Sequence, residues 1–251
     1  MGTSLERVLS VLDLFTEEKL EWTSEEIGDY LGCSRPTVYR YLKALTACGL
    51  LSSSAPGVFT VGAMVVELDY VLRMSDPLLL AGTAPVDRLA DQFPATAMLL
   101  RWYRNKILCV YSKSSLVKPR SSYVRGRPMP LGRGAISHSI MASLPRRQLM
   151  PLIREYIGDL RDVGFGQGPD EIYDTFKRLR RQRVCVARSE VTPGVIGTSS
   201  AIVLSSGRSV GAVCLTVAAS DATEELLKNM SESVRGTVVE IGAGMDSAQE
   251  R

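Results

Sequence analysis

Residues 23–50 read TSEEIGDYLGCSRPTVYRYLKALTACGL. Thr23 followed three residues later by Glu26 is a capping box, which satisfies orphan N–H groups at a helix start and fixes where the helix begins. Ile27 and Leu31 then share one face, and Gly32 follows where the backbone must leave the helix. Ser34 is placed to cap a second helix, with Pro36 in its first turn, where a missing N–H is tolerated. Val38, Leu42 and Leu45 form an apolar stripe at helical spacing, with Tyr41 beside it. Arg35, Thr37, Tyr39, Arg40 and Lys43 are left facing outward, and Gly49 supplies a stop. Two short helices about a Gly-Cys-Ser corner predict a helix-turn-helix.

An outer face of Arg, Thr, Arg and Lys on the second helix suits the major groove of DNA. Arginine donates two bonds to guanine or one strong contact to a phosphate. Arg35, Pro36, Thr37, Tyr39, Arg40 and Lys43 are therefore the candidate recognition residues. A helical hairpin with a solvated basic face would read the same way, so the flanks decide. Upstream, a Thr3 to Glu6 capping box opens a stripe of Leu5, Val8, Leu9, Leu12 and Phe15, a supporting helix. Downstream, Leu50 and Leu51 begin an extended stretch. Residues 52–57 (SSSAPG) are turn chemistry, and Val58, Phe59 and Val61 return as a second strand. Three helices and a small hairpin predict a winged helix, with the 52–58 wing adding backbone contacts.

Charge is distributed unevenly. The whole chain of 251 residues carries a formal +3, yet residues 1–62 hold five Lys or Arg against eight Asp or Glu, a formal −3. Basic charge concentrates on the second helix, so DNA binding requires most of Glu17, Glu18, Glu21, Glu25, Glu26 and Asp29 to lie off the contact face. Such a module predicts modest monomer affinity and a need for dimers to accumulate phosphate contacts.

The remaining chain reads as one helix and then a second domain. Residues 63–74 (AMVVELDYVLRM) predict a linker helix, with Val65, Leu68 and Leu72 on one side and Pro77 ending it. Beyond it, residues 85–93 look helical. Two strands over 97–103 and 107–111 are joined by a tight Arg104-Asn105 turn, and a long basic loop spans 113–130. Helices follow over 136–144, 146–156 and 170–182. Short strands follow over 184–187, 201–204 and 210–217, and a closing helix over 223–245. Hairpin-joined strands flanked by helices make an α+β sheet domain. The boundaries are 1–62 for the winged helix-turn-helix, 63–77 for the linker helix and 78–251 for the sheet domain.

Several function classes are disfavoured. No stretch is long and apolar enough to span a membrane, and no basic-then-apolar leader opens the chain, so a cytoplasmic protein is expected. Cys33, Cys48, Cys109, Cys185 and Cys214 are scattered, with no Cys-x-x-Cys pair, and His138 is the single histidine. Reduced thiols and no metal or cofactor are the reading, with a redox-sensing cysteine as the alternative. A nucleophile would need His138 as its base. No Gly-x-Ser-x-Gly elbow is present, and the run at 164–168 (GFGQG) lacks the lysine and helix of a phosphate loop. An enzyme is not expected. His138 itself reads as a structural histidine, with an acid–base or ligand role as the alternative.

SLERVLSVLDLF, the helix-turn-helix and GVFTVGAMVVEL resemble the N-terminal domain of IclR-type transcriptional regulators. The resemblance continues through RGRPMPLGRGAISHSIMASLP, EVTPGVIGTSSAIV and GRSVGAVCLTV. It implies a ligand-responsive bacterial transcriptional regulator. A GAF-like antiparallel sheet would hold a small-molecule effector, and a homodimer or a tetramer would bind a double-stranded DNA operator. It also implies that the effector pocket falls on Gly134 and Ala135 at a helix start, on Ala187 and Gly197, and on Cys214 and Thr216. A helix start with free N–H groups favours a carboxylate, and Arg133 stands beside it. Members that bind very small keto acids carry Asp, Cys, Ser and Ser where this chain has Ala187, Gly197, Cys214 and Thr216. That departure implies a bulkier or more apolar effector, such as an aromatic acid or another catabolic metabolite. The alternatives are a pocket altered past binding and, for the whole chain, a winged-helix protein-interaction module without sequence-specific DNA binding.

Overall fold

A computed structural model describes residues 3–116 and 124–249, so part of the 113–130 loop, residues 117–123, lies outside the described residues. The chain divides between Ser75 and Asp76 into two compact units.

In the first unit, helix α1 (Ser4–Ser10) starts at the expected capping box, with Glu6 N–H donating to Thr3 Oγ1. It is short. A 3-10 turn over Val11–Leu14 takes over and buries Val11 and Leu14, while Leu5 and Leu9 of the expected stripe are exposed. The change of helical pitch rotates the buried face. Strand β1 (Trp22–Thr23) leads into α2 (Ser24–Leu31), opened by the Thr23–Glu26 capping box and closed by Gly32 in the left-handed conformation. Helix α3 (Arg35–Ala47) follows, with Ser34 as its N-cap residue and Pro36 in the first turn. The Ser34 hydroxyl does not bond the helix backbone; it meets Thr37 Oγ1 at 3.1 Å. Ile27, Val38, Leu42, Leu45 and Leu51 pack with Val11 and Leu14 as one core.

Strands β2 (Leu51–Ala55) and β3 (Val58–Val61) form the wing, and β1 adds a third strand in the order β1-β3-β2. Ser52, Ser53 and Ser54 lie in the strand, and the turn narrows to Pro56-Gly57. Gly62 closes the wing, because a Cβ there would lie 2.1 Å from the Gly49 carbonyl oxygen. Helix α4 (Met64–Ser75) completes this unit and buries none of its residues within it.

Helix α5 (Pro77–Gln92) opens the second unit. Pro77 starts it, rather than ending the helix before. Asp76 caps it by accepting from the N–H groups of Leu78 and Leu79, and also receives the Arg101 guanidinium. Strands β4 (Thr96–Tyr103) and β5 (Lys106–Ser114) form the expected hairpin, with Arg104 and Asn105 both at positive φ. Next come β6 (Pro128–Met129), α6 (Gly134–Ser143), α7 (Arg146–Glu155) and α8 (Ile157–Asp162), the last not anticipated. Helix α9 (Pro169–Gln182) buries Ile172 and Phe176. Strands β7 (Cys185–Arg188), β8 (Val195–Val203) and β9 (Ser209–Ala218) and helix α10 (Glu224–Gln249) finish the chain.

The six strands form one antiparallel sheet in the order β6-β5-β4-β9-β8-β7. Helices α5 and α10 supply the core on one face, where Leu78, Val86, Leu227 and Val234 meet Leu99 and Val213. Helices α6, α7 and α9 supply the other, where Ile140, Leu149 and Phe176 meet Met98 and Cys214. The fold is α+β, with a winged helix-turn-helix followed by a GAF-like sheet domain.

Candidate functional site

On α3 the buried and outward faces separate cleanly. Val38, Tyr41, Leu42 and Leu45 are buried, while Arg35, Pro36, Tyr39, Arg40 and Lys43 are exposed and Thr37 is half-buried. Tyr41 is part of the interior, and its hydroxyl lies 3.1 Å from Ser4 Oγ. The acids divide in role. Glu26 is tied to Lys19 at 2.6 Å and to the Thr23 N–H at 2.8 Å, which hold its carboxyl down at about 2. Glu25 instead lies beside Arg35, with 3.1 Å between guanidinium and carboxylate, so one acid does reach the basic face. Both side chains are largely solvated, so this pair is weak and open to exchange for a phosphate.

In the second unit, the sheet register and the start of α6 bring the other predicted residues to one place. Ala187 pairs with Gly197, and Gly197 pairs with Thr216, a row across β7, β8 and β9. Cys214, two residues from Thr216, pairs with Met98 of β4. Ala135 of α6 stands over this row, 3.5 Å from where a Cβ on Gly197 would lie. Together with Arg133 and Gly134 they line a cavity of about 60 Å³, completed by Met98, Met129, Ile136 and the turn residues Glu190, Val191 and Thr192.

The lining is mostly apolar, and several of its polar groups already have partners. Arg133 contributes to the wall, but its guanidinium donates to Asp159 at 2.7 Å and Asp162 at 2.5 Å, both on α8. Those two carboxylates raise its pKa. The Thr216 hydroxyl donates to the Thr96 carbonyl at 3.4 Å. Burial pushes the Cys214 thiol up and the Cys185 thiol up to about 12, so both remain protonated thiols at neutral pH. All five cysteines are free.

The N–H of Gly134, at the positive end of the α6 dipole, donates at 2.8 Å to Glu190 Oε2. His138 Nε2 approaches the same oxygen at 3.5 Å and the Gly132 carbonyl at 3.4 Å. Its ring lies 4.3 Å from that of Phe165. Burial lowers the His138 pKa to about 4, so the contact with Glu190 joins a neutral imidazole to a carboxylate and is no ion pair at neutral pH. Burial also raises the Glu190 pKa. The sequence reading missed Glu190, although a signal was available: it is the sole acid between Asp174 and Asp221. Met98, Met129 and Val191 were missed because nothing distinguishes them from core residues in sequence. Among the described residues, no group of three metal-ligating side chains comes together, and no helix is long and apolar enough to cross a membrane.

Comparison with known proteins covers both units. The IclR helix-turn-helix domain matches residues 4–54, and the bacterial transcriptional regulator IclR C-terminal domain matches residues 77–243. The Pca regulon regulatory protein of Pseudomonas putida is 26% identical over 218 residues, which are 84% of this chain and 72% of that protein. A probable HTH-type transcriptional regulator, ArcR, of Halobacterium salinarum is 24% identical over 77% of this chain and 74% of its own length. Among solved structures, a putative transcriptional regulator of Rhodococcus sp. RHA1 superposes with a TM-score of 0.77 at 20% identity, covering 99% of this chain and all of that one. An IclR homologue from Microbacterium hydrocarbonoxydans, crystallised with 4-hydroxybenzoate, superposes with a TM-score of 0.75 at 18% identity, covering 98% of this chain and 100% of that one.

Proposed function

We propose that this chain, which belongs to the IclR family of transcriptional regulators, binds an inverted-repeat operator as a homodimer or a dimer of dimers and releases or tightens it when an organic acid enters the cavity beside α6. The observation that carries the DNA half is the division of α3. Its apolar stripe is consumed by the winged-helix core, while Arg35, Tyr39, Arg40 and Lys43 remain in solvent on the recognition helix. A two-fold dimer places two such helices in successive major grooves, with the 52–58 wing against the backbone. Helix α4, with Val66, Tyr70, Val71 and Met74 exposed, offers an apolar surface for a second copy.

The effector half rests on chemistry of the cavity. Its walls are apolar at Met98, Met129, Ile136, Ala187 and Val191, and its one strong anion-binding feature is the start of α6. An apolar acid, aromatic or otherwise, satisfies both. Effector binding biases two states of the protein with different operator affinity. Acting on chromosomal DNA, the protein would work in the cytoplasm.

The test is binding of the purified protein, at stated salt, to DNA upstream of its own and neighbouring genes, with and without metabolites of the neighbouring pathway. Specific binding that one metabolite shifts is expected. Arg40→Ala should lower operator affinity by roughly tenfold or more with fold and oligomer intact. Operator affinity unchanged by Arg40→Ala would sink the recognition assignment. Specific binding that no metabolite shifts would sink the cavity assignment alone. No preference over random genomic fragments would favour a winged helix that binds protein.

A further inference from the structure

The residues that close the cavity come from the β7–β8 turn, SEVTPG, at positions 189–194. This turn has a defined build. Ser189 N–H donates to the Val195 carbonyl at 2.8 Å, and Val195 N–H donates back to Thr192 at 3.2 Å. Ser189 and Gly194 both stand at positive φ, marking the two points where the chain bends. Glu190 and Val191 project from it toward α6. Glu190 accepts from Gly134 N–H, and Val191 packs so close that a Cβ on Gly134 would lie 2.7 Å from its Cγ2. The cavity beneath is about 60 Å³, well below the ~300 Å³ at which small-molecule sites begin.

A carboxylate thus already sits where an acidic ligand's carboxylate would be bound. The cation at the wall, Arg133, is held by Asp159 and Asp162. A second carboxylate entering beside Glu190 would meet like charge in a partly desolvated site, so the two cannot share the α6 amides. Resting on the reading of this cavity as the effector site, we propose that Glu190 is an internal competitor for the effector's carboxylate. Its bond to Gly134 latches the 189–194 turn shut over the cavity, and an acid binds by replacing Glu190 and freeing the turn. Arrival of an acid therefore both fills the α6 anion site and moves the wall that otherwise leaves no room for an apolar body. The latch also sets specificity: a neutral ligand gains nothing from displacing Glu190, whereas an acid recovers the bond it breaks.

The test uses the full chain, with Glu190→Ala, Glu190→Gln and Gly197→Phe, and with 4-hydroxybenzoate, acetate and the neutral 4-hydroxybenzamide as probes. Backbone hydrogen exchange reads the latch without any ligand. In Glu190→Ala the amides of Gly134 and of the 189–194 turn should exchange about tenfold faster or more, the scale of one charge-assisted hydrogen bond. Both the acids and the benzamide need the turn open, so each should bind this variant about tenfold or more tightly than wild type, while the benzamide, lacking the charge the α6 amides favour, stays the weaker ligand in both proteins. Glu190→Gln keeps the side-chain volume and an acceptor while losing the charge, so it should lie between wild type and Glu190→Ala even if the alanine variant folds poorly. In wild type, saturation with an acid should itself speed exchange in the turn. Unchanged exchange in both Glu190 variants overturns the latch. An acid that binds wild type, is blocked by Gly197→Phe and binds the Glu190 variants no better overturns the competition while leaving the effector reading intact. Acids that bind neither wild type nor the variants overturn both.

Discussion

His138 shows how much one side chain's surroundings decide. It is 2% exposed, its ring tilted against that of Phe165, with Glu190 and the Gly132 carbonyl as the polar groups facing its Nε2. Desolvation lowers its pKa from the ordinary 6.5 to about 4. Between those values the unfolded chain binds a proton that the folded chain refuses, so stability falls as pH falls through that window. The contribution is fully present above the unfolded value and is lost as pH drops toward the folded one. Going from about pH 7 to about pH 5, this single group should cost the second unit about 2 kcal/mol. Urea unfolding of wild type and His138→Gln at both pH values reads it, because every carboxylate but the neighbouring Glu190 titrates alike in the two proteins. Equal pH slopes in the two proteins would show that His138 takes up its proton as readily in the fold as in the unfolded chain. Arg133 makes the complementary point. Its place beside Gly134 was legible, but its commitment to Asp159 and Asp162 was not, because those acids sit on a helix 26 and 29 residues away in sequence.

At the scale of elements, legibility followed how local the cause was. The capping boxes at Thr3 and Thr23, the Gly32 corner and the α3 stripe are set by residues a few positions apart, and all were readable. Strand β8 was read only at its end. Its first half, VIGTSS, buries Thr198, Ser199 and Ser200, whose polarity hides the strand from any hydropathy pattern. Two of these are explained by distant partners: Ser199 meets Ser139 Oγ at 2.9 Å, and Ser200 donates to the Arg183 carbonyl at 2.5 Å. Helix α5 was read from its second half because Pro77 looked like a stop, and Pro85 like a start. Asp76 reverses that reading by making Pro77 the first residue of a capped helix. Asp76 is buried and accepts from two backbone N–H groups and the Arg101 guanidinium, so it joins α5 to β4. Asp76→Ala removes the cap and strands Arg101, and should destabilise the second unit by about 3 kcal/mol. Asp76→Asn retains the cap and should recover about 1 kcal/mol or more of that. Denaturant midpoints of the three proteins decide it; an alanine variant as stable as the asparagine one would show that the cap contributes nothing.

For the whole molecule, the net acidity of residues 1–62 makes the count of subunits on DNA measurable. Each winged helix presents three exposed cations on α3, Arg35, Arg40 and Lys43, one of them paired to Glu25. If all three displace counterions, one subunit should give a slope of log K against log salt of about −3, and a dimer about −5. With eight acids against five bases in the module, a single copy has little attraction to spare, so operator binding at physiological salt should require the steeper slope. Fluorescence anisotropy with a labelled operator from about 50 to about 200 mM salt measures it. Arg40→Ala then separates two roles for this guanidinium. If Arg40 binds phosphate, removing it from both subunits should flatten the dimer slope by about 2 and weaken all sequences alike. If it binds guanine, the slope should stay nearly unchanged while preference relaxes at one base pair. A wild-type slope near −3 on an operator held with full specificity would mean that one winged helix engages at a time, and the two-fold reading of the operator would fail.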